Sequence, residues 1–91
     1  MNIVVTPLYE EQLKEILDEG TAENLEGVKK FKMYLDTVII NMQTKVQKYK
    51  KSVFFDDENI KEIDFQGLNI PFFIDEENEN FVLLGIVLKE K

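Results

Sequence analysis

Lys45, Lys48, Lys50 and Lys51 form the largest cluster of cationic groups in the sequence, with Tyr49 among them and Lys61 a little downstream. Ammonium and phenol groups of this kind can dock an acidic partner or handle phosphate charge. The plainer account is a solvated helix end, where lysines also favour the C-terminal dipole. What is missing narrows the chemistry further. The chain has no His, no Cys and no Trp, and all 11 of its cationic residues are lysines. Without imidazole there is no Ser-His-Asp or Cys-His arrangement, and Ser52, the one serine, has no base near it in sequence. Without guanidinium there is no planar bidentate fork for phosphate. Without thiols there are no disulfides and no cysteine zinc site.

Two acidic runs, Asp56-Asp57-Glu58 and Asp75-Glu76-Glu77-Asn78-Glu79, invite a cation-site reading. Neither has the alternating ligands and mid-loop glycine of a calcium loop, so soluble turns account for both and no metal or cofactor is expected. Tyr49, Phe54 and Phe55 could form an exposed docking patch beside the lysines. Anchoring a loop to the core is the plainer role for them.

The 91 residues carry a net charge of −7, unevenly spread. Residues 1–27 hold seven acids and one lysine, residues 28–51 seven lysines and only Asp36, and residues 52–91 ten acids and three lysines. A basic middle between acidic ends shapes association more than fold. It also disfavours direct nucleic-acid binding, since most of the surface repels phosphate. No apolar run approaches the length of about 20 that spans a bilayer, and Met1-Asn2-Ile3-Val4 lacks a basic leader, so no membrane partner and a cytoplasmic location are expected.

The elements that must position these groups follow from periodicity. Ile3-Val4-Val5-Thr6 reads as a short strand, and Thr6-Pro7 as a helix start with Thr as cap and Pro at the first helical position. Leu8, Leu13, Ile16 and Leu17 give the apolar stripe of that helix, and Gly20 a plausible end. From Thr21 or Glu23 a longer helix carries Leu25, Val28, Phe31, Leu35, Val38, Ile39, Met42, Val46 and Tyr49 at three- and four-residue steps. Residues 60–65 alternate, with Ile63 and Phe65 on one face and Glu62 and Asp64 on the other. Gln66-Gly67 is a tight turn into a strand over residues 68–74, where Pro71 predicts a bulge or an edge. Residues 81–88 are apolar on both faces, as in a central strand. The order β-α-α-β-β-β defines an α+β fold, a helical hairpin packed on a mostly antiparallel four-stranded sheet, in one domain over residues 1–91.

That order, together with several short pieces, resembles the RelE/ParE superfamily of toxins from type II toxin–antitoxin systems. The pieces are Thr6-Pro7 followed by Leu13-Lys14-Glu15-Ile16-Leu17, Tyr49-Lys50-Lys51-Ser52 before an aromatic pair, the stretch Ile60-Lys61-Glu62-Ile63-Asp64-Phe65-Gln66-Gly67-Leu68-Asn69-Ile70-Pro71-Phe72, and Leu83-Leu84-Gly85-Ile86. The match is closer to ParE-like members. The resemblance implies a toxin neutralised by a cognate antitoxin whose C-terminal segment lies in a groove. For a ParE-like member it implies inhibition of DNA gyrase by binding, with no catalytic residues.

Ribonuclease members of the superfamily cut messenger RNA on the ribosome with Arg, Lys, His or Tyr groups. Here Asn69 stands at their frequent Arg, and Val87-Leu88-Lys89 at their basic or His-containing last strand. A ribonuclease built on this chain would have only Lys61, Lys89 and Tyr49 to supply a base, an acid and charge stabilisation, so an enzyme is disfavoured. The residues expected to bind target or antitoxin are Lys45, Lys48, Tyr49, Lys50, Lys51 and Lys61. A non-toxic relative acting as a binding module is the remaining alternative.

Overall fold

The computed structural model describes residues 2–52 and 55–88. Strand β1 (Asn2–Val5) leads into helix α1 (Pro7–Glu23), and helix α2 (Leu25–Lys45) ends in a 3-10 turn, Val46–Lys48. Five strands follow: β2 (Lys50–Lys51), β3 (Ile60–Phe65), β4 (Leu68–Asp75), β5 (Asn80–Leu83) and β6 (Val87–Leu88). Across the sheet the order is β1-β5-β4-β3-β2, with β6 also paired to β4. Only β1 and β5 run parallel; the other pairs are antiparallel.

The sequence predicts four strands, and the described residues form six. One addition, β2, is a pair of lysines with no strand propensity of its own, held by register with Glu62 and Lys61. The other arises because residues 81–88 do not form one unbroken strand. Phe72 pairs with Leu83, yet Asn69 pairs with Val87. The last strand therefore uses three residues, Leu84, Gly85 and Ile86, where β4 uses Ile70 and Pro71. That extra residue is a β-bulge opposite Pro71, and β4 is an interior strand. The Ile74 N–H to Asn59 C=O bond of 2.8 Å fixes the alternation. It turns Pro71 away from β3 and toward the bulge, where the Leu84 N–H reaches the Pro71 C=O at 2.9 Å. The proline's missing donor thus falls where the ladder is already interrupted.

Thr6 caps α1 as its type predicts, accepting from the Tyr9 N–H, with Pro7 at the first helical position. Gly20, however, does not end the helix. It lies inside α1, and a Cβ there would meet Val28 Cγ2 at 2.6 Å, so the glycine lets α2 approach. The connection is Asn24 alone, whose N–H bonds the Gly20 C=O and whose side chain caps α2 through the Gly27 N–H. A second adjustment concerns the apolar stripe of α1. Tyr9 is buried in the core and Leu8 is 54% exposed. The Gln66-Gly67 turn has φ of 48° and 82°, the pair of positive values that suits a two-residue hairpin.

Both helices pack on one face of the sheet. Leu35 and Met42 of α2 and Tyr9 of α1 meet Ile63, Leu68, Ile70, Phe72, Phe81, Leu83 and Ile86. Phe72 is central, edge-on to Tyr49 at 5.8 Å and to Phe81 at 6.1 Å. No helix among the described residues is long and apolar enough to cross a membrane.

Candidate functional surfaces

The end of α2, the 3-10 turn and the β2/β3 edge meet at one corner, and most of the candidate residues converge there. Lys45, Lys48, Lys50 and Lys51 are exposed. Lys61 joins them from β3: its Nζ donates to the Val46 C=O at 2.9 Å, at the terminus of α2. This is a capping contact, satisfying a carbonyl that the helix leaves open and placing a cation at the negative end of its dipole. In register Lys51 lies directly opposite Lys61, and Lys50 opposite Glu62. Lys51 also lies 3.9 Å from the fully exposed Asp56, an ion pair of little energetic weight. The corner is a compact cationic surface on an otherwise acidic molecule.

Tyr49 sits in this corner but faces inward. Half buried and edge-on to Phe72, it anchors the turn to the core, and burial raises its phenol pKa. Phe55 is 40% exposed and lies elsewhere, in a groove shared with Pro71 and Val87. Phe54 and Lys89 lie outside the described residues. Leu88 pairs with Leu68, whereas Lys61 pairs with Phe72, four positions along β4. At about 3.3 Å per residue the two are roughly 13 Å apart along the strand direction.

Asn69 is 1% exposed, its Nδ2 donating to Asp64 Oδ1 at 3.3 Å. A position this buried is not open to a solvated cation. The acidic runs serve as turns: Asp57 Oδ1 accepts from the Asn59 N–H, and Asp75 from the Asn78 N–H.

One buried group has no sequence signal. Tyr9 is 3% exposed, and its hydroxyl has no hydrogen-bond partner among the described residues. Burial, reinforced by the Asp36 carboxylate, pushes its pKa from 10.0 up to about 12. Between those values the unfolded chain gives up the proton and the folded one keeps it, so stability falls as pH rises. The loss expected is about 2 kcal/mol between pH 10 and 12, read by urea unfolding. Tyr9→Phe removes most of that slope and at pH 7 is neutral or stabilising, since the hydroxyl it deletes is unsatisfied.

Sequence reasoning also missed the grooves between α1 and the end of the last strand. Their lining comes from residues 8, 12, 15, 16, 19, 55, 71 and 84–88, which nothing local in the chain connects.

No protein-family model matches the chain, and no curated protein matches it in sequence. Among solved structures, a chain of the "Chromosomal ParDE TA system from P. aeruginosa" superposes with a TM-score of 0.70, over 99% of this chain and 97% of that one, at 14% identity. A likeness at that identity defines a fold. The fold shared with that chain is an α+β one, a helical pair on one face of a mostly antiparallel sheet.

Proposed function

We propose that this chain is the toxin component of a type II toxin–antitoxin pair, a ParE-like domain over residues 1–91. In this reading it inhibits DNA gyrase by binding and is silenced by a cognate antitoxin in the cytoplasm. The observation that carries the reading is the near-complete superposition on a chain of a ParDE system. Two features favour binding over catalysis. The chain lacks imidazole, guanidinium and thiol groups, and Lys61 and Tyr49 are engaged in capping and packing. The exposed amines of Lys45, Lys48, Lys50 and Lys51 form the contact surface for an acidic target or antitoxin segment.

The test is induction of the chain alone in a bacterium, with DNA and protein synthesis pulse-labelled over the first minutes. DNA synthesis falls first if gyrase is the target, and the purified chain blocks gyrase supercoiling in vitro. Translation falling first, with codon-phased cuts in messages, would replace this reading with the ribonuclease. No effect on either would leave a non-toxic binding module.

A further inference from the structure

Past Leu83 the sheet has an open edge. Strand β1 covers β5 only as far as Val5 opposite Leu83. Thr6 then turns into α1, its hydroxyl reaching the C=O of Leu83 at 2.9 Å and of Leu84 at 3.2 Å. From there to Leu88 no described strand lies along the outer side. Asn69 faces β6 through Val87, so alternation turns the backbone of Ile86 and Leu88 outward. The Ile86 N–H is taken by Gln12 Oε1 at 2.9 Å. The Ile86 C=O and the Leu88 N–H remain on the outer side, an acceptor and a donor flanking Val87. One residue of an incoming parallel strand bonds to such a pair with its own N–H and C=O.

Two hollows flank this edge, divided by Gln12. One, of about 240 Å³, is lined by Leu8, Phe55, Pro71, Leu84 and Val87. The other, of about 230 Å³, is lined by Ile16, Ile86 and Leu88 with Glu15 and Glu19. Leu8, Phe55 and Leu88 are exposed large apolar side chains, at 54%, 40% and 74%. Among the described residues, no lysine lines either hollow. Glu15 and Glu19 form no ion pair among the described residues.

We propose that the outer edge of β6 takes an extended segment of a partner protein, added parallel to the strand. Its alternate apolar side chains fill the two hollows, and its lysines or arginines face Glu15 and Glu19. The charge of the rim selects a cationic segment. A second copy is the poorer occupant. Its own basic stretch, residues 48–51, lies at the opposite edge of the sheet, and both molecules carry −7. Head-to-tail addition would also chain copies without closure. This docking edge lies across the sheet from the lysine corner and does not depend on the toxin reading.

The probe is a fluorescent, end-blocked peptide of about ten residues alternating Lys and Val, with a Glu/Val peptide as its counterpart. Titrated against the full chain by anisotropy, the Lys/Val peptide binds saturably and the Glu/Val peptide does not. Leu88→Pro removes the outward donor without touching the bonds to β4, and weakens binding at least about tenfold. Glu15→Lys with Glu19→Lys weakens it comparably, and Lys50→Glu with Lys51→Glu does not. These positions are exposed, so the variants keep the wild-type melting profile. Binding that Leu88→Pro leaves unchanged is charge adsorption and overturns the proposal, as does an absence of saturation up to about 1 mM. Self-association by sedimentation that Leu88→Pro abolishes overturns the choice of occupant.

Discussion

Replacing Phe72 with alanine is expected to cost about 4 kcal/mol of folding stability, the largest effect of any single truncation in this chain. Phe72 has no solvent exposure and touches two other rings, Tyr49 and Phe81, edge-on. Those rings belong to the segment after α2 and to β5, while Phe72 itself is on β4. Its loss leaves a cavity between the helical layer and the middle of the sheet, together with two broken aromatic contacts of about 0.5–1.5 kcal/mol each. A small domain has roughly 5–15 kcal/mol in all, so the variant should unfold near physiological temperature. Urea unfolding followed by circular dichroism measures it. A loss below about 1.5 kcal/mol would show that α2 and the sheet close over the gap. Phe72→Leu keeps most of the volume and is expected to recover more than half of the loss.

Reversing the charge of the lysine corner has the largest expected effect on activity. Lys48→Glu, Lys50→Glu and Lys51→Glu together change the local charge by six. Target or antitoxin binding through this surface should fall by at least about a hundredfold at low salt, and growth arrest on induction should disappear. Folding is not expected to suffer. Lys51→Glu exchanges a like-charge neighbour, Lys61, for an opposite one, while Lys50→Glu does the reverse against Glu62, so the two cross-strand changes offset each other. The melting temperature should therefore stay close to wild type while activity is lost. A triple variant that still arrests growth would move the contact surface elsewhere on the molecule. Lys61→Glu is a poor substitute in this experiment, because it also removes the cap on the Val46 carbonyl.

Local chemistry made some of this architecture readable from the sequence. Thr6-Pro7 starts a helix in any context that leaves the cap free, and the β3–β4 hairpin combines strict alternation with a turn that needs positive φ. Gly20 shows where such reasoning stops. A glycine near a helix end suits a terminus or a close helix–helix approach equally well, and only the position of Val28 decides between them. Pro71 signals a disturbance in the ladder, but which strand supplies the extra residue depends on how residues 84–86 cross it. Strand β2 exists only because β3 offers it an edge. Of the candidate surfaces, the lysine corner was readable because its amines are close in sequence. The grooves beside β6 were not, because they join α1, the loop before β3, the bulge and the last strand.

The parallel pairing of β1 with β5 also bears on how the protein is made. Thr6 bonds to Leu83 and Leu84, 77 and 78 residues further along the chain. The hairpins of β2, β3 and β4 and the helix pair can form from neighbouring segments as they emerge. The first strand has no partner until β5 has left the ribosome. Loop closure over that span is among the slower events in the folding of a small domain. A growing chain therefore carries an unpaired Asn2–Val5 until residues 80–84 emerge. Completion of the sheet, and with it the seating of Thr6 and the first turn of α1, waits for that segment.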